Sequence, residues 1–189
     1  MLKIAIIIGT TRPNRKSETV ARWVYELASR RGDAQYELVD LRNYNLPIFD
    51  EPNNPSQRQY TKDYTRVWSE KIASYDAYIF VTGEYNHGIP GVLKNAIDYL
   101  WYEWHDKPAG FVSYGSAGGV RAVEQLRGVM GELHVADIRP QVFFSTRTDF
   151  ENYTIFKPDE AREKALGAML DKLIQWGQAM KTMREASAK

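Results

Sequence analysis

The sequence contains no cysteine. Disulfides, iron–sulfur clusters, thiolate nucleophiles and thiolate metal sites are therefore excluded, and no metal is expected. The absence suits a reducing cytosol, so a cytoplasmic location is expected. Charge of one sign is not in excess either: 25 Lys and Arg stand against 24 Asp and Glu, a net charge of +1. That balance gives no reason to expect nucleic acid or an anionic membrane as main partner. Long apolar runs are missing too. The opening stretch from Ile4 to Ile8 stops at Gly9. It is too short for a signal-peptide core with its cleavage site, or for a bilayer span. Its β-branched make-up reads instead as a strand covered on both faces. There is no internal repeat, linker or low-complexity block. With 189 residues, 43% of them hydrophobic, the chain suits one domain, 1–189, with a core of its own.

Strand-like and helix-like segments alternate along the chain. Strands are expected at 4–8, 36–39, 77–82, 109–114 and 142–144. Val20, Trp23, Val24, Leu27 and Ala28 recur at the spacing of one helix face. Further helices are expected over 61–74, with Tyr64, Val67, Trp68 and Ile72 as its apolar face, and over 91–100 and 119–130. A closing helix is marked by Leu166, Met169, Leu170, Leu173 and Gly177 and extends to about Met183. Residues 184–189 are expected to fray. Between 41 and 60, Pro47, Pro52 and Pro55 break any regular pattern, and long connections of this kind often serve function. Five strands alternating with helices call for a parallel sheet covered on both faces. Ligands of such sheets sit at the carboxyl ends of the strands. The turns after strands one, three and four are therefore the ones to examine.

The first turn reads Gly9-Thr10-Thr11-Arg12-Pro13-Asn14-Arg15-Lys16-Ser17. A strand-to-helix turn offers backbone N–H groups and the positive end of a helix dipole. Hydroxyls of Thr10, Thr11 and Ser17 add donors, and Arg12 can clamp an oxyanion. A phosphate satisfies all of these. The nucleotide triphosphate loop is ruled against, because Asn14 stands where a glycine belongs and the Lys-Ser pair is displaced by one. The dinucleotide fingerprint needs three glycines, and only Gly9 is present. A monophosphate fits better. The plainer alternative is a polar loop with Ser17 as an ordinary helix N-cap.

The turn after strand three, Thr82-Gly83-Glu84-Tyr85-Asn86-His87-Gly88-Ile89-Pro90-Gly91, combines glycines with an aromatic face and an amide. A flat heteroaromatic ring edged with N–H and C=O groups would suit it. His87 is the one obvious proton-transfer candidate there, although a lone loop histidine is more often structural. The turn after strand four, Ser113-Tyr114-Gly115-Ser116-Ala117-Gly118-Gly119, brings further backbone donors, or merely permits a tight turn.

Glu84-Tyr85-Asn86, Pro90-Gly91 and Leu93-Lys94-Asn95-Ala96-Ile97-Asp98 together resemble the signature of the NADPH-dependent FMN reductase family. That family belongs to the flavodoxin-like superfamily and includes quinone, azo-dye and chromate reductases. The first turn is similar to the family's phosphate loop, with Thr10 in place of the usual Ser. Gly83 replaces the usual Pro before Glu-Tyr-Asn. The resemblance implies a three-layer flavodoxin-like α/β fold with a five-stranded parallel sheet in the order 2-1-3-4-5. It implies that Thr10, Arg12 and Ser17 hold the FMN phosphate. Glu84, Tyr85 and Asn86 would flank the isoalloxazine ring, largely through backbone groups, and Gly115, Ser116, Gly118 and Gly119 would approach its pyrimidine end. Lys94 and Asn95 read as packing residues.

The implied activity passes hydride from NADPH or NADH to bound FMN, and then to a small acceptor such as a quinone, flavin, azo compound or metal oxyanion. No side chain need act as nucleophile, because the cofactor carries the chemistry. The alternative is an FMN-binding carrier or sensor without nucleotide turnover, although such carriers are usually strongly acidic. Arg15 or Lys16 is a candidate contact for the nucleotide 2′-phosphate. The aromatic run Tyr99-Leu100-Trp101-Tyr102-Glu103-Trp104-His105 suggests an interface. A homodimer, or a tetramer built from it, is expected through this helix end, with burial inside the monomer as the competing reading.

Overall fold

The computed structural model describes residues 1–187. Five strands form one parallel sheet in the order β2-β1-β3-β4-β5: β1 (Leu2–Ile8), β2 (Ala34–Asp40), β3 (Ala77–Gly83), β4 (Pro108–Gly115) and β5 (Ala136–Ser145). This is the flavodoxin-like order, with its switch point between β1 and β3. The sheet interior is apolar on both sides because each central strand serves two cores. Ile4, Ile6 and Ile8 point to one, and Ala5 and Ile7 to the other.

Helices α1 (Lys16–Ser29) and α5 (Glu160–Ser187) cover the first face through Val20, Val24, Leu166, Met169 and Leu173. The second face takes α2 (Asp63–Ala73), α3 (Gly91–Asp98) and α4 (Val120–Glu132), through Trp68, Ile72, Leu93, Ile97, Val123 and Leu126. The α2 face differs from the expected one. Val67 is exposed, and Thr65 is buried in its place. Trp68 sets this rotation by donating its indole N–H to Ala96 O at 2.8 Å, which locks α2 against α3.

Three boundaries also differ. β5 is ten residues rather than three, because β4 supplies a long parallel partner. α3 ends at Asp98, and the following residues turn inward. The tail expected to fray at 184–187 is helical, since Arg184 donates to Asp76 at 2.9 Å and to Asp106 O at 2.6 Å; Ala188 and Lys189 lie outside the described residues. After β5 a small antiparallel hairpin, β6 (Phe150–Glu151) and β7 (Ile155–Phe156), packs Phe156 against Trp23 and Phe144. Its strands are two residues each, too short for any periodicity to show. Among the described residues, no helix is long and apolar enough to cross a membrane.

Candidate functional site

The turns after β1, β3 and β4 meet at one edge of the sheet. A cavity of about 220 Å³ lies there, lined by Arg12, Lys16, Glu84, Tyr85, Tyr114 and Thr146, with Arg15, Gly83 and Gly115 completing it. Four of the ten residues expected to hold a ligand line it directly: Arg12, Glu84, Tyr85 and Gly115.

The first turn is held close to β3. The Gly9 N–H donates to Val81 O at 2.9 Å. A β-carbon at position 9 would stand 3.0 Å from that same carbonyl oxygen and from a Leu93 methyl, so glycine is what permits this approach. Thr10 and Ser17 are fully buried, and their hydroxyls hydrogen-bond to each other. The Tyr114 phenol completes a cluster of three hydroxyls. Burial pushes its pKa up, while hydrogen bonds with Thr10 and Ser17 act in the opposite direction. Gly83, which pairs with Tyr114 in register, leaves room for this ring. The Tyr114 hydroxyl lies 3.1 Å from where a Gly83 β-carbon would be. Hydroxyls clustered this way can turn their hydrogens from one another toward an oxyanion. Arg12 is exposed at the mouth and forms no ion pair among the described residues.

Ser17 is not the helix N-cap. α1 starts at Lys16, Arg15 occupies the cap position, and no side chain caps it. Ser17 therefore sits in the first helical turn with its hydroxyl turned toward Thr10. Arg15 is also not free to meet a nucleotide. Its buried guanidinium donates to Thr10 O at 2.6 Å, grips both Asp40 carboxylate oxygens and reaches Glu18 at 3.3 Å. Lys16 lies over the Phe150 ring, 5.6 Å from its centroid.

After β3 the chain makes a two-residue reverse turn. Tyr85 and Gly88 exchange both backbone hydrogen bonds at 3.0 Å, with Asn86 (φ 50°) and His87 (φ 69°) at the tip. Both tip residues are left-handed, as this hairpin geometry requires. Tyr85, Asn86 and His87 are exposed, while the Glu84 side chain is only 7% exposed. Pro90 leads into α3, where Asn95 holds the long connection rather than the cavity. Its amide donates to Pro47 O at 2.7 Å and accepts from Phe49 N–H at 2.8 Å. Lys94 pairs with Asp98 at 2.7 Å.

After β4, Ser116 is exposed and Gly118 and Gly119 are buried. Gly119 has φ 72°, and a β-carbon there would fall 2.8 Å from Tyr114 O, so this glycine shapes the turn rather than lining the cavity. Ser113 hydroxyl donates to Gly118 O at 2.7 Å and Thr146 N–H donates to Gly115 O at 2.9 Å, which fixes the rim. Tyr114 and Thr146 were absent from the sequence-based set. Tyr114 reads there as one more strand residue, and Thr146 follows a strand whose end was not visible.

The family described as NADPH-dependent FMN reductase matches residues 2–149. The chain is 41% identical over 158 residues to NAD(P)H-dependent FMN reductase ntnL from Nectria sp, covering 79% of each chain. It is 29% identical over 189 residues to a 2-hydroxy-1,4-benzoquinone reductase from Burkholderia sp, covering 93% of this chain and 96% of that one. Among solved structures, the flavoenzyme NAD(P)H:(acceptor) oxidoreductase FerB of Paracoccus denitrificans superposes with a TM-score of 0.74 at 20% identity, over 95% of this chain and 99% of that one. That last likeness establishes the fold. The family match and the 41% relative lead to one conclusion: this chain belongs to the NADPH-dependent FMN reductase family and is an NAD(P)H-dependent FMN reductase.

Proposed function

We propose that the cavity where the turns after β1, β3 and β4 meet is the FMN site of this reductase. Thr10, Arg12 and Ser17 take the phosphate, Glu84, Tyr85 and Asn86 take the ring, and Gly115 and Ser116 close its far end. Gly118 and Gly119 act by bending the backbone that presents that end. The observation that carries this reading is the cluster of buried hydroxyls of Thr10, Ser17 and Tyr114 beside the unpaired Arg12. Buried hydroxyls clustered beside an exposed arginine that has no ion pair among the described residues suit an anion.

When bound, FMN supplies two-electron redox chemistry between NAD(P)H and an acceptor. The chain's own residues do the positioning. The hydroxyls of Thr10 and Ser17 donate to the phosphate, and Arg12 balances its charge. Tyr85, 42% exposed, offers a face to stack on at the open rim. That open side admits the nucleotide and the acceptor in turn. Quinones are the acceptor class supported by relatives that carry the name quinone reductase.

We further propose that the enzyme is a cytoplasmic homodimer. An apolar hollow of about 660 Å³ lies between α3 and α4, lined by Phe49, Leu100, Trp101, Val129 and Leu133 among others. Trp101 is half-buried and Tyr102 is 43% exposed, whereas Tyr99 and Trp104 are spent inside the monomer.

The test is an absorbance spectrum of the protein reconstituted with FMN, desalted, then mixed anaerobically with NADPH. Retained flavin that bleaches on mixing is the expected result. Loss of all flavin on desalting, with only weak affinity by titration, refutes this site as the cofactor seat.

A further inference from the structure

Glu84 places a carboxyl group where an unpaired polar atom is costly. Its side chain lines the cavity and is only 7% exposed. Arg121 of α4 pairs with one carboxylate oxygen, Oε1. The other, Oε2, is buried and has no hydrogen-bond partner among the described residues, and neither has Arg121 Nε, which points no donor into hydrogen-bond geometry with it. An orphaned carboxylate oxygen in a buried setting is rare, and it calls for a donor that arrives with a ligand.

The carboxylate is also firmly aimed. Arg121 donates from a second nitrogen to His87 Nε2 at 2.8 Å, and Gln125, one helical turn further along α4, donates to His87 O at 2.9 Å. Together they pin the strained tip of the β3 turn and set Glu84 from below. Glu84 Cβ would lie 3.6 Å from a β-carbon at Gly115, so the carboxylate stands between the β3 and β4 turns.

We infer that Glu84 Oε2 accepts a hydrogen bond from the imide N–H of the flavin ring, and that Arg121 is the positioning residue that holds it there. The inference rests on the FMN reading above. It follows from the chemistry of the ligand: an oxidised isoalloxazine has a single ring N–H, at N3, flanked by two carbonyls. A lone buried acceptor in a cavity for that ring has one ring donor to meet. The side chain, and not only the backbone of the turn, thereby recognises the flavin.

The apoprotein should be titrated with FMN and with FMN methylated at N3, in wild type and in Glu84→Met. Wild type should bind the methylated flavin at least about tenfold more weakly, as expected for a hydrogen bond to a charged group. Glu84→Met, of similar length but without an acceptor, should shrink that gap to within about threefold. A gap that persists in Glu84→Met assigns the N–H to a backbone carbonyl and overturns the inference. So does a wild type that does not discriminate. Failure of wild type to bind FMN at all removes the site itself, a separate and recognisable outcome. A second measurement uses Glu84→Gln, which retains shape and loses charge. The midpoint potential of its bound flavin should rise, because a carboxylate beside the ring disfavours the added negative charge of the reduced state. An unchanged potential counts against the inference. Arg121→Lys should recover more of the wild-type potential than Arg121→Ala, as positioning through Glu84 requires.

Discussion

The Arg15 guanidinium ties the first turn and the start of α1 to the end of β2, which lies 25 residues away in sequence. It binds the Thr10 carbonyl, the Asp40 carboxylate at the end of β2 and Glu18 in α1. Its side chain is 3% exposed and that of Asp40 is 21% exposed, so solvent screens the pair weakly. Removing one partner of such a pair leaves a charge without compensation, which costs about 3 kcal/mol or more. Arg15→Ala should therefore lower unfolding free energy by about that amount in urea denaturation. Arg15→Lys should recover little, because an ammonium cannot reproduce the fork. The ratio of NADPH to NADH turnover should not change, since the guanidinium is committed to the protein. In the sequence Arg15 is one of several basic residues in a polar turn. Its commitment to Asp40 depends on β1 and β2 being neighbours, a contact 25 residues apart. By contrast, the hydroxyl and arginine content of the turn is readable directly, because it is carried by consecutive residues of one turn.

Among the elements, α2 shows how the long connection serves the fold. The N-terminus of α2 has no side-chain cap from its own cap residue, Lys62. Glu51 supplies one from the connection instead. Its carboxylate accepts from Thr61 N–H and the Thr61 hydroxyl at 2.8 Å, and from Lys62 N–H at 3.0 Å. Burial works against the charge, but these donors outweigh it and pull the Glu51 pKa down to about 2. A carboxyl whose folded pKa lies below its unfolded value of about 4.3 stabilises the fold above that pH. The contribution is lost as pH falls from about 4.3 toward about 2. Glu51→Gln should cost about 2 kcal/mol at pH 7 and flatten the acid limb of stability, measured by denaturant titration between pH 2 and 7. Asn95 and Tyr99 fasten the same connection at Pro47 and Asp50. Proline spacing correctly marked the segment as irregular, but the partners of Glu51 and Asn95 are set by packing alone. The hairpin after β5 escaped for a related reason: Phe150 and Phe156 pair across a turn, and their value lies in covering Trp23 and Phe144.

For the whole molecule, the open question of assembly turns on one face. The hollow between α3 and α4 is apolar, and the half-buried Trp101 stands at its edge. A second copy covering it would bury that surface, as interfaces bury aromatic residues. Sedimentation at micromolar concentration should give a mass of twice 21.8 kDa. Trp101→Glu should shift the population toward monomer without changing far-UV circular dichroism. A monomeric wild type would refute the dimer.

The periodicity of apolar residues, the alternation of strand and helix, and the glycine and hydroxyl content of three turns were all local properties. They determined the fold class, and they singled out the sheet edge where three turns meet and the residue types proposed to take a phosphate and a flat ring. Which charges are free and which are spent was decided only by the tertiary structure. Arg12 is available while Arg15 is not, and Glu84 keeps one oxygen unpaired because α4 holds the other. The physical reason is range. Backbone geometry and amphipathic patterning act over a few residues, whereas pairing a buried charge requires a partner brought close by the sheet order and the packing of helices on it.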